Sequence, residues 1–453
     1  MKVANTLSGQ KEEFVPQDDT VKIYVCGVTP YSECHIGHGM SYVIFDTIRR
    51  YLKFKGYEVR YVQNFTDIDD KSIARAKELG ITVKELADKY IGDYFTCMDA
   101  LNVQRADVHP KATEEIPKMI ELVQGLVDKG HAYVTKEGVY FRVRSDPHYG
   151  ELSHQSLDSL MAGARIEAGS EKEHPLDFVL WKAAKPGEPW WDSPWGKGRP
   201  GWHIECSAMA LKYLGNTLDI HGGGQDLIFP HHQNEIAQSE CFTGVRPFAR
   251  YWVHNGLVQM GEEKMSKSLG NLVTLRESLE EFSPDALRLF VLSSHYRSPL
   301  TYSKGSLEAA EKGAERLRQA VSVPGGARAG APIDVAAYRR RFVEVMDDDF
   351  NTAQAVACVF DLARDVNRAA NDGYDVKESQ RGLSELTGIL GLTLEERRRD
   401  QAAEPFVELL VSLRSELRQK KLWEMADNIR DSLAELGIAL EDAPQGTTWR
   451  RRV

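Results

Sequence analysis

The hydrophobic pattern near the amino terminus predicts a strand, a helix and a second strand in succession. Residues 21–26 form a short apolar run of the kind that makes a buried strand. Across residues 41–55 apolar positions recur at helical spacing, and Gly56 is a typical helix end. Residues 59–65 have the pattern of a second buried strand. A strand, a crossover helix and a strand make a βαβ unit, so the pattern predicts a parallel sheet.

The pattern changes twice further along the chain. Residues 110–195 hold two helical stretches and a segment rich in proline, tryptophan and glycine, which together predict an insertion into the sheet domain. Residues 218–221 predict another strand, followed by a glycine loop and a helix over 231–242. After residue 305 the pattern is almost entirely helical. We therefore expect an interrupted α/β domain followed by a helical part.

Composition narrows the class of protein. At 453 residues, 27% of them charged, the chain is long enough for about three globular domains. It has no run of about 18 apolar residues and no apolar core of a secretory signal, so we expect a cytoplasmic protein without a membrane span. Six cysteines without a CxxC pair argue against a disulfide scaffold and leave buried thiols or metal ligands. The net charge of −10 argues against a general nucleic-acid coat protein but permits local basic patches.

The tetrapeptide HIGH at 35–38 suggests phosphate binding. It lies between the first strand and the first helix, where free N–H groups and the helix dipole attract anions. Gly37 lets a ligand approach the backbone, and the imidazoles of His35 and His38 can donate hydrogen bonds to phosphate oxygens. Taken alone, a pair of polar loop histidines is an equally good interpretation.

The pentapeptide KMSKS at 264–268 suggests a mobile phosphate clamp. Lys264 and Lys267 lie in a small, polar, glycine-flanked segment that can close on a leaving group. Taken alone, a solvated basic loop is the simpler interpretation. In this order, and with an insertion between them, HIGH and KMSKS resemble the two signatures of class I aminoacyl-tRNA synthetases.

Four dispersed residues form a candidate zinc site. Cys26 ends the first strand, Cys206 follows the inserted segment, and His231 and Glu235 share one face of a predicted helix. Two buried thiols and a surface His–Glu pair are the simpler interpretation of these residues alone. His232 is an alternative ligand, although on a regular helix it points about 100° away from Glu235.

Residues 196–201 match the GxGxxG pattern of dinucleotide-binding sites. Such a site needs the motif after a strand and at the start of a helix. Here it follows a segment rich in tryptophan and proline, and Pro200 interrupts it. A nicotinamide dehydrogenase is therefore not expected.

Over nearly its whole length the chain resembles the cysteinyl-tRNA synthetases of class I. Besides HIGH and KMSKS, the blocks that carry the resemblance are CGVTPY at 26–31, NFTDIDDK at 64–71, RPGWHIEC at 199–206, HGGG at 221–224, FPHHQNE at 229–235, MDDDFNT at 346–352 and LEDAPQGTTWR at 440–450. One departure is Gln233, where a glutamate is expected. The cysteine-containing blocks indicate the member of the class.

The resemblance implies a Rossmann-type α/β fold whose parallel sheet is split by an inserted domain, followed by a helical bundle and a small anticodon-binding module. The implied parts are the first half of the catalytic domain (1–110), an inserted connective domain (111–198), the second catalytic half (199–248), a KMSKS-bearing stem-contact region (249–305), the bundle (306–392) and the anticodon-binding module (393–453).

The resemblance also implies roles for the candidate residues. One zinc ion that selects the thiolate of L-cysteine is expected on Cys26, Cys206, His231 and Glu235. Contacts to cysteine are expected from Thr66, Trp202 and His221. ATP, used with Mg²⁺, is expected to contact His35, Gly37, His38, Asp226 and Lys267, with His35, His38, Lys264 and Lys267 acting in catalysis. Asp226 can hold either the ATP ribose or the amino group.

The implied activity is attachment of L-cysteine to tRNA(Cys) by a monomer. Anticodon contacts are expected from Arg418, Trp423, Asp427 and Asp442, although a buried anchor is an equally good interpretation of Trp423. Two alternatives remain: a cysteine ligase of mycothiol biosynthesis with an amino-sugar acceptor, and an inert tRNA-binding paralogue. The tail beyond residue 406 argues against the first, and the intact HIGH and KMSKS argue against the second.

Overall fold

Strands and helices alternate through the first 300 residues of this computed structural model, and helices dominate afterwards. Described are residues 1–163, 171–260, 263–264, 273–395, 404–436, 438–443 and 446–451. The strands are β1 (Lys2–Asn5), β2 (Gln10–Glu13), β3 (Thr20–Val28), β4 (Glu58–Phe65), β5 (Ala132–Val134), β6 (Gly138–Phe141), β7 (Phe178–Ala183), β8 (Gly198–Pro200), β9 (Leu218–Gly224), β10 (Ala249–Asn255), β11 (Val258–Met260), β12 (Glu263–Lys264), β13 (Leu300–Tyr302), β14 (Ile438–Ala443) and β15 (Gly446–Arg451). The helices are α1 (Ile36–Phe54), α2 (Asp70–Leu79), α3 (Val83–Ala100), α4 (Ile116–Asp128), α5 (Leu157–Gly163), α6 (Trp202–Leu214), α7 (Gln233–Thr243), α8 (Leu275–Glu281), α9 (Pro284–Leu292), α10 (Lys304–Ser322), α11 (Val335–Met346), α12 (Thr352–Asn371), α13 (Lys377–Ile389), α14 (Glu404–Gln419) and α15 (Trp423–Glu435).

The predicted parallel sheet is present, with the strand order β10-β9-β3-β4. Successive side chains of β3 point to opposite faces of the sheet. Ile23 and Val25 pack in the core that contains α1, whereas Tyr24 and Cys26 pack in the core that contains α6. The strand period therefore turns the Cys26 thiol toward the helix that carries Cys206.

The inserted segment forms an antiparallel sheet, β5-β6-β7-β8, beside α4. Its last strand, Gly198–Pro200, lies inside the GxGxxG motif of residues 196–201 and does not precede it. The motif ends at Gly201, which caps α6. That strand is an antiparallel partner of β7 and not part of the parallel sheet, so the context still differs from a dinucleotide site.

Two helix starts differ from the predicted ones. Helix α1 begins at Ile36 and not at 41, because His35 caps it within the HIGH motif. Helix α7 begins at Gln233, since residues 228–232 form a π-helical turn in which Phe229 has an extended backbone. The antiparallel pair β1-β2 was not predicted, because its strands are four residues long and largely polar.

The chain divides into two compact units, 1–394 and 395–453. In the first, α10 to α13 form the predicted bundle. In the second, helices α14 and α15 pack with the β14-β15 hairpin around Val407, Leu433 and Ile438. Within the described residues no helix combines the length with the apolarity that crossing a membrane requires. The domain boundaries given above stay predictions.

Candidate metal and phosphate sites

Cys26, Cys206, His231 and Glu235 meet in one buried cluster. A ligand atom of each lies within 4.8 Å of those of the others. The two sulfur atoms are 3.8 Å apart, and Glu235 Oε1 is 3.6 Å from Cys26 Sγ and 3.0 Å from His231 Nε2. All four side chains are buried. The structure thus brings together residues that are separated by up to 209 positions in the sequence.

The donor set and its spacing fit zinc. Two thiolates bound to a tetrahedral zinc at about 2.3 Å lie about 3.8 Å apart, which is the separation of Cys26 and Cys206. Thiolate, imidazole and carboxylate are the three zinc ligand types in proteins. A bound cation would stabilise the carboxylate and the thiolate forms of the cysteines, because burial alone disfavours these charged forms.

The four groups perturb one another's protonation. Burial and the neighbouring Cys206 raise the pKa of the Cys26 thiol, whereas the hydrogen bond from Cys26 lowers the pKa of Cys206 to about 6. Against the effect of burial, the Glu235 carboxylate raises the pKa of His231 to about 10. Also against burial, His221 and His231 lower the pKa of Glu235 to about 2. Glu235 and His231 therefore stabilise one another's charged forms, and a metal ion bound to the imidazole nitrogen would displace a proton from it.

His232 is closer to this cluster than the regular helix predicted. Its Nε2 lies 3.2 Å from Cys26 Sγ, because it belongs to the π-helical turn and not to α7. Cys26, His221, His232 and Glu235 form a second candidate metal set, within the same 4.8 Å limit. Both imidazoles already have partners: His221 Nε2 lies 2.8 Å from Glu235 Oε2, and His232 Nδ1 lies 2.7 Å from His254 Nε2. These contacts are typical of residues that orient the metal ligands and do not themselves bind the metal.

Sequence reasoning missed two residues behind the cluster. His254 is buried on β10, and its Nδ1 lies 2.8 Å from the Thr6 hydroxyl. A chain of contacts therefore runs from Thr6 through His254 and His232 to Cys26. The FPHHQNE block already contained His232, but no sequence pattern pointed to Thr6.

The predicted cysteine contacts lie around the cluster. Trp202 stacks on His231 with ring centroids 4.4 Å apart, and 43% of its surface is exposed, so it covers the cluster from the solvent side. His221 stacks on Trp252 at 4.4 Å beneath it. Thr66 is buried at the end of β4, where Asn64 Nδ2 donates to its hydroxyl at 3.4 Å.

The HIGH motif forms the amino terminus of α1. The backbone N–H of Gly37 donates to His35 Nδ1 at 3.1 Å, and the backbone N–H of His35 lies 3.4 Å from His38 Nδ1, which completes a capping box. Since each Nδ1 accepts a hydrogen bond, each neutral ring carries its proton on Nε2. The rings stack at 3.7 Å. A Cβ at Gly37 would lie 3.0 Å from the His35 ring, so this close cap favours glycine.

Burial keeps these histidines neutral. It lowers the pKa of His35 to about 4, although the Asp226 carboxylate acts in the opposite direction. Burial and the neighbouring His35 lower the pKa of His38 well below its usual value. The motif therefore offers two neutral Nε2–H donors at a helix amino terminus, with Asp226 close enough to affect one of them.

The KMSKS motif is only partly within the described residues. The backbone of Lys264 lies in β12, opposite Gln259 of β11. Lys267 lies outside the described residues, so its predicted role stays a prediction.

The four predicted anticodon residues belong to the second unit. Arg418 lies at the end of α14, Trp423 and Asp427 lie on α15, and Asp442 lies on β14. The Trp423 ring is 54% exposed, and the Arg418 guanidinium lies 5.9 Å from its centroid. The exposure argues against a buried anchor and favours a stacking surface.

Sequence comparisons give the family of the chain. The sequence model described as the class I (C) tRNA synthetase catalytic domain matches residues 13–312, and those described as the DALR domain and the cysteinyl-tRNA ligase anticodon binding domain match 341–395 and 400–450. A protein of Dehalococcoides mccartyi named cysteine–tRNA ligase is 59% identical over 99% of both chains. The chain belongs to the cysteine–tRNA ligase family. A member from Carboxydothermus hydrogenoformans is 51% identical over 100% of both chains. The predicted resemblance is confirmed.

Solved structures confirm the fold class. Mycobacterium tuberculosis methionyl-tRNA synthetase in complex with methionyl-adenylate superposes with a TM-score of 0.59 at 15% identity, covering 86% of this chain and 94% of that one. A putative arginyl-tRNA synthetase of Campylobacter jejuni gives 0.54 at 13% identity, covering 83% and 91%. At these identities the likeness shows a shared class I synthetase fold and nothing about substrate.

Proposed function

We propose that this protein attaches L-cysteine to tRNA(Cys) in two steps, forming cysteinyl-adenylate from ATP and transferring cysteine to the terminal adenosine of the tRNA. The main observation in support is that Cys26, Cys206, His231 and Glu235 form one cluster. It lies beside strand β3, which precedes the helix that begins with HIGH. Full-length relatives named cysteine–tRNA ligase support it. The anticodon domain match at 400–450 gives no support to an amino-sugar ligase, and neither alternative is retained.

The buried cluster supports selection of cysteine against serine. The two amino acids differ by one atom, so the shape of a pocket discriminates poorly between them. One zinc ion on Cys26, Cys206, His231 and Glu235 would prefer the soft thiolate of cysteine to the hydroxyl of serine. A 10⁴-fold preference corresponds to about 5.5 kcal/mol. Trp202 would wall the pocket, while Thr66 and His221 would contact the amino acid.

The HIGH helix supports adenylate formation. The cysteine carboxylate attacks the α-phosphorus of ATP, and pyrophosphate leaves. The Nε2–H groups of His35 and His38 would donate to phosphate oxygens during this displacement, and Gly37 would admit them to the backbone. Asp226 would hold the ribose or the amino group. Lys264 and Lys267, with Mg²⁺, would stabilise the leaving pyrophosphate.

The second unit supports recognition of tRNA. Trp423 offers an exposed ring for stacking on an unpaired base, and Arg418, Asp427 and Asp442 offer groups for base edges. No protein nucleophile is needed for transfer, because a ribose hydroxyl of the tRNA attacks the adenylate. We propose that the protein acts as a monomer in the cytoplasm.

Cysteine-dependent ATP–pyrophosphate exchange tests the proposal, with serine as control and charging of unfractionated tRNA as the second step. Exchange with cysteine alone, followed by charging, is the expected result. Exchange without charging of tRNA would favour the amino-sugar ligase instead. Absence of exchange in a zinc-loaded sample would favour the inert tRNA-binding paralogue.

A further inference from the structure

The MDDDFNT block at 346–352 has no part in the chemistry proposed above. It lies between α11 and α12 of the bundle. Asp349 and Phe350 both have left-handed backbones, with φ of +64° and +51°, and Asp349 is fully buried. A left-handed aspartate with a buried carboxylate persists only where its surroundings over-determine it. The contacts of the Asp349 carboxylate are therefore expected to stabilise this conformation.

The Asp349 carboxylate joins three parts of the first unit. Oδ1 accepts the backbone N–H of Ala4 on β1 at 2.8 Å and the hydroxyl of Tyr296 at 2.7 Å. Oδ2 lies 3.0 Å from Arg297 Nε and 3.5 Å from His295 Nε2. Burial, together with the Asp349 charge, raises the pKa of Tyr296 well above its usual value, so its hydroxyl remains a donor. One bundle residue thus fixes the segment 295–297 that follows α9.

The fixed segment is bonded in turn to the approach to β11. The carbonyl of Tyr296 accepts the backbone N–H of Gly256 at 2.8 Å. A Cβ on Gly256 would lie 2.2 Å from the carbonyl oxygen of Ser298, so only glycine permits this approach. The two backbones are therefore held against each other just before β11 begins.

The pairing then continues as a small sheet up to the KMSKS motif. The backbone N–H of Leu300 donates to the carbonyl of Leu257 at 3.0 Å, and β13 runs parallel to β11 from that point. Strand β11 pairs antiparallel with β12, which contains the first lysine of KMSKS, Lys264. An unbroken set of backbone pairings links Tyr296 to Lys264.

We propose that Asp349 is a positioning residue for the KMSKS motif. Its carboxylate holds Tyr296 and Arg297, this segment sets the position of β13 and β11, and β11 sets where β12 places Lys264. The inference rests on the proposed function in taking KMSKS to act on the leaving pyrophosphate. A purely structural junction between bundle and sheet is the competing explanation.

Asp349→Asn separates the two explanations. Asparagine keeps the shape of the side chain and tolerates a left-handed backbone. The change removes the charge and replaces one of the two acceptor oxygens by an NH2 donor. Asp285→Asn is a matched control, because Asp285 is also buried, lies on α9, and accepts the backbone N–H groups of Thr393 and Leu394 at 2.9 Å. Tyr296→Phe removes the hydrogen bond from the Tyr296 hydroxyl to Asp349 Oδ1. This variant replaces Asp349→Asn in the test if Asp349→Asn does not fold.

The measurements are ATP–pyrophosphate exchange well below the melting temperature and amide hydrogen exchange over residues 256–264. For Asp349→Asn we expect kcat to fall about 10- to 100-fold with the KM for cysteine unchanged, and faster amide exchange in β11. Tyr296→Phe should show smaller changes of the same kind. Asp285→Asn should lower the melting temperature without either change.

Equal kcat values for the Asp349 and Asp285 variants, or unchanged amide exchange in β11, would overturn the proposal. Absence of exchange activity in the unaltered protein would instead overturn the proposed function, and the amide exchange comparison would still decide whether Asp349 holds β11.

Discussion

Strand β3 carries one residue of the metal cluster and precedes the HIGH motif, yet the two sites are built in opposite ways. The cluster draws residues from β3, α6, the π-helical turn and α7, and all of them are buried and bonded to one another. The HIGH motif is four consecutive, largely half-buried residues whose histidines bond to the backbone of their own helix end. The first site exists only after the chain has folded, whereas the second needs only one capped helix. Substitutions in the cluster should therefore abolish most of the activity, whereas substitutions in the motif should reduce it by amounts that depend on the new side chain.

Breaking the cluster gives the largest expected effect. Cys206→Ser replaces a soft thiolate by a hydroxyl, which is a poor zinc ligand. We expect loss of bound zinc on dialysis against a chelator, and a fall in cysteine-dependent pyrophosphate exchange toward the 10⁴-fold, or about 5.5 kcal/mol, that selection of the thiolate requires. Zinc content and exchange rate are measured on the same samples.

Cys358→Ser is the control for that change. Cys358 is a buried thiol of the bundle whose Sγ lies 3.4 Å from the carbonyl oxygen of Tyr338. This variant should keep both zinc and activity. Full activity of Cys206→Ser without zinc would show that the cluster does not select the substrate.

The HIGH motif should respond in a graded way. A glutamine at 38 can bring an N–H close to the position of His38 Nε2, whereas an asparagine reaches only the Nδ1 position, which accepts from the helix end. We expect His38→Asn to lower kcat of adenylate formation about 10²- to 10³-fold, and His38→Gln to lose less. Zinc content should be unchanged in both. A more active asparagine variant would mean that the Nε2 donor is not the catalytic group.

The same contrast explains what the sequence could predict. Helix-end chemistry is local, so the sequence alone could assign HIGH to a helix amino terminus, and strand alternation turned Cys26 toward α6. Phosphate binding there stays a prediction. The four metal residues follow from the family resemblance, because their spacing alone favours no site. Thr6 and His254 could not be predicted, since their link to His232 depends on how β1 lies along β10. The start of α7 was wrong because a π-helical turn has no sequence signature of its own.

The supports of the cluster should give a smaller effect than its ligands. Thr6→Val removes the hydroxyl at 2.8 Å from His254 Nδ1, and so loosens the contact through His232 to Cys26. Outer groups of this kind change metal affinity by about 10- to 100-fold. Competition with a chromophoric chelator measures that affinity. Thr387→Val, which removes a buried hydroxyl of α13 that bonds to Leu383, should leave it unchanged. Equal zinc affinities for the two variants would show that Thr6 does not support the metal site.

A separate effect, on stability and not on zinc affinity, is expected in the pH dependence of unfolding. Burial lowers the pKa of His35 to about 4, against about 6.5 in an unfolded chain. Between these values the unfolded state binds more protons, so the free energy of unfolding falls as the pH falls through this window. His35→Asn keeps a good helix cap and removes the titrating group.

That variant should therefore match the unaltered protein within about 1 kcal/mol near pH 8, yet lose less stability between about pH 6.5 and 4. Urea unfolding across this range measures both quantities. An unchanged slope would mean that His35 has the same pKa in the folded and the unfolded protein, so that burial does not hold its ring neutral. Below about pH 6.5 the ring would then meet phosphate as a cation and not as a neutral donor.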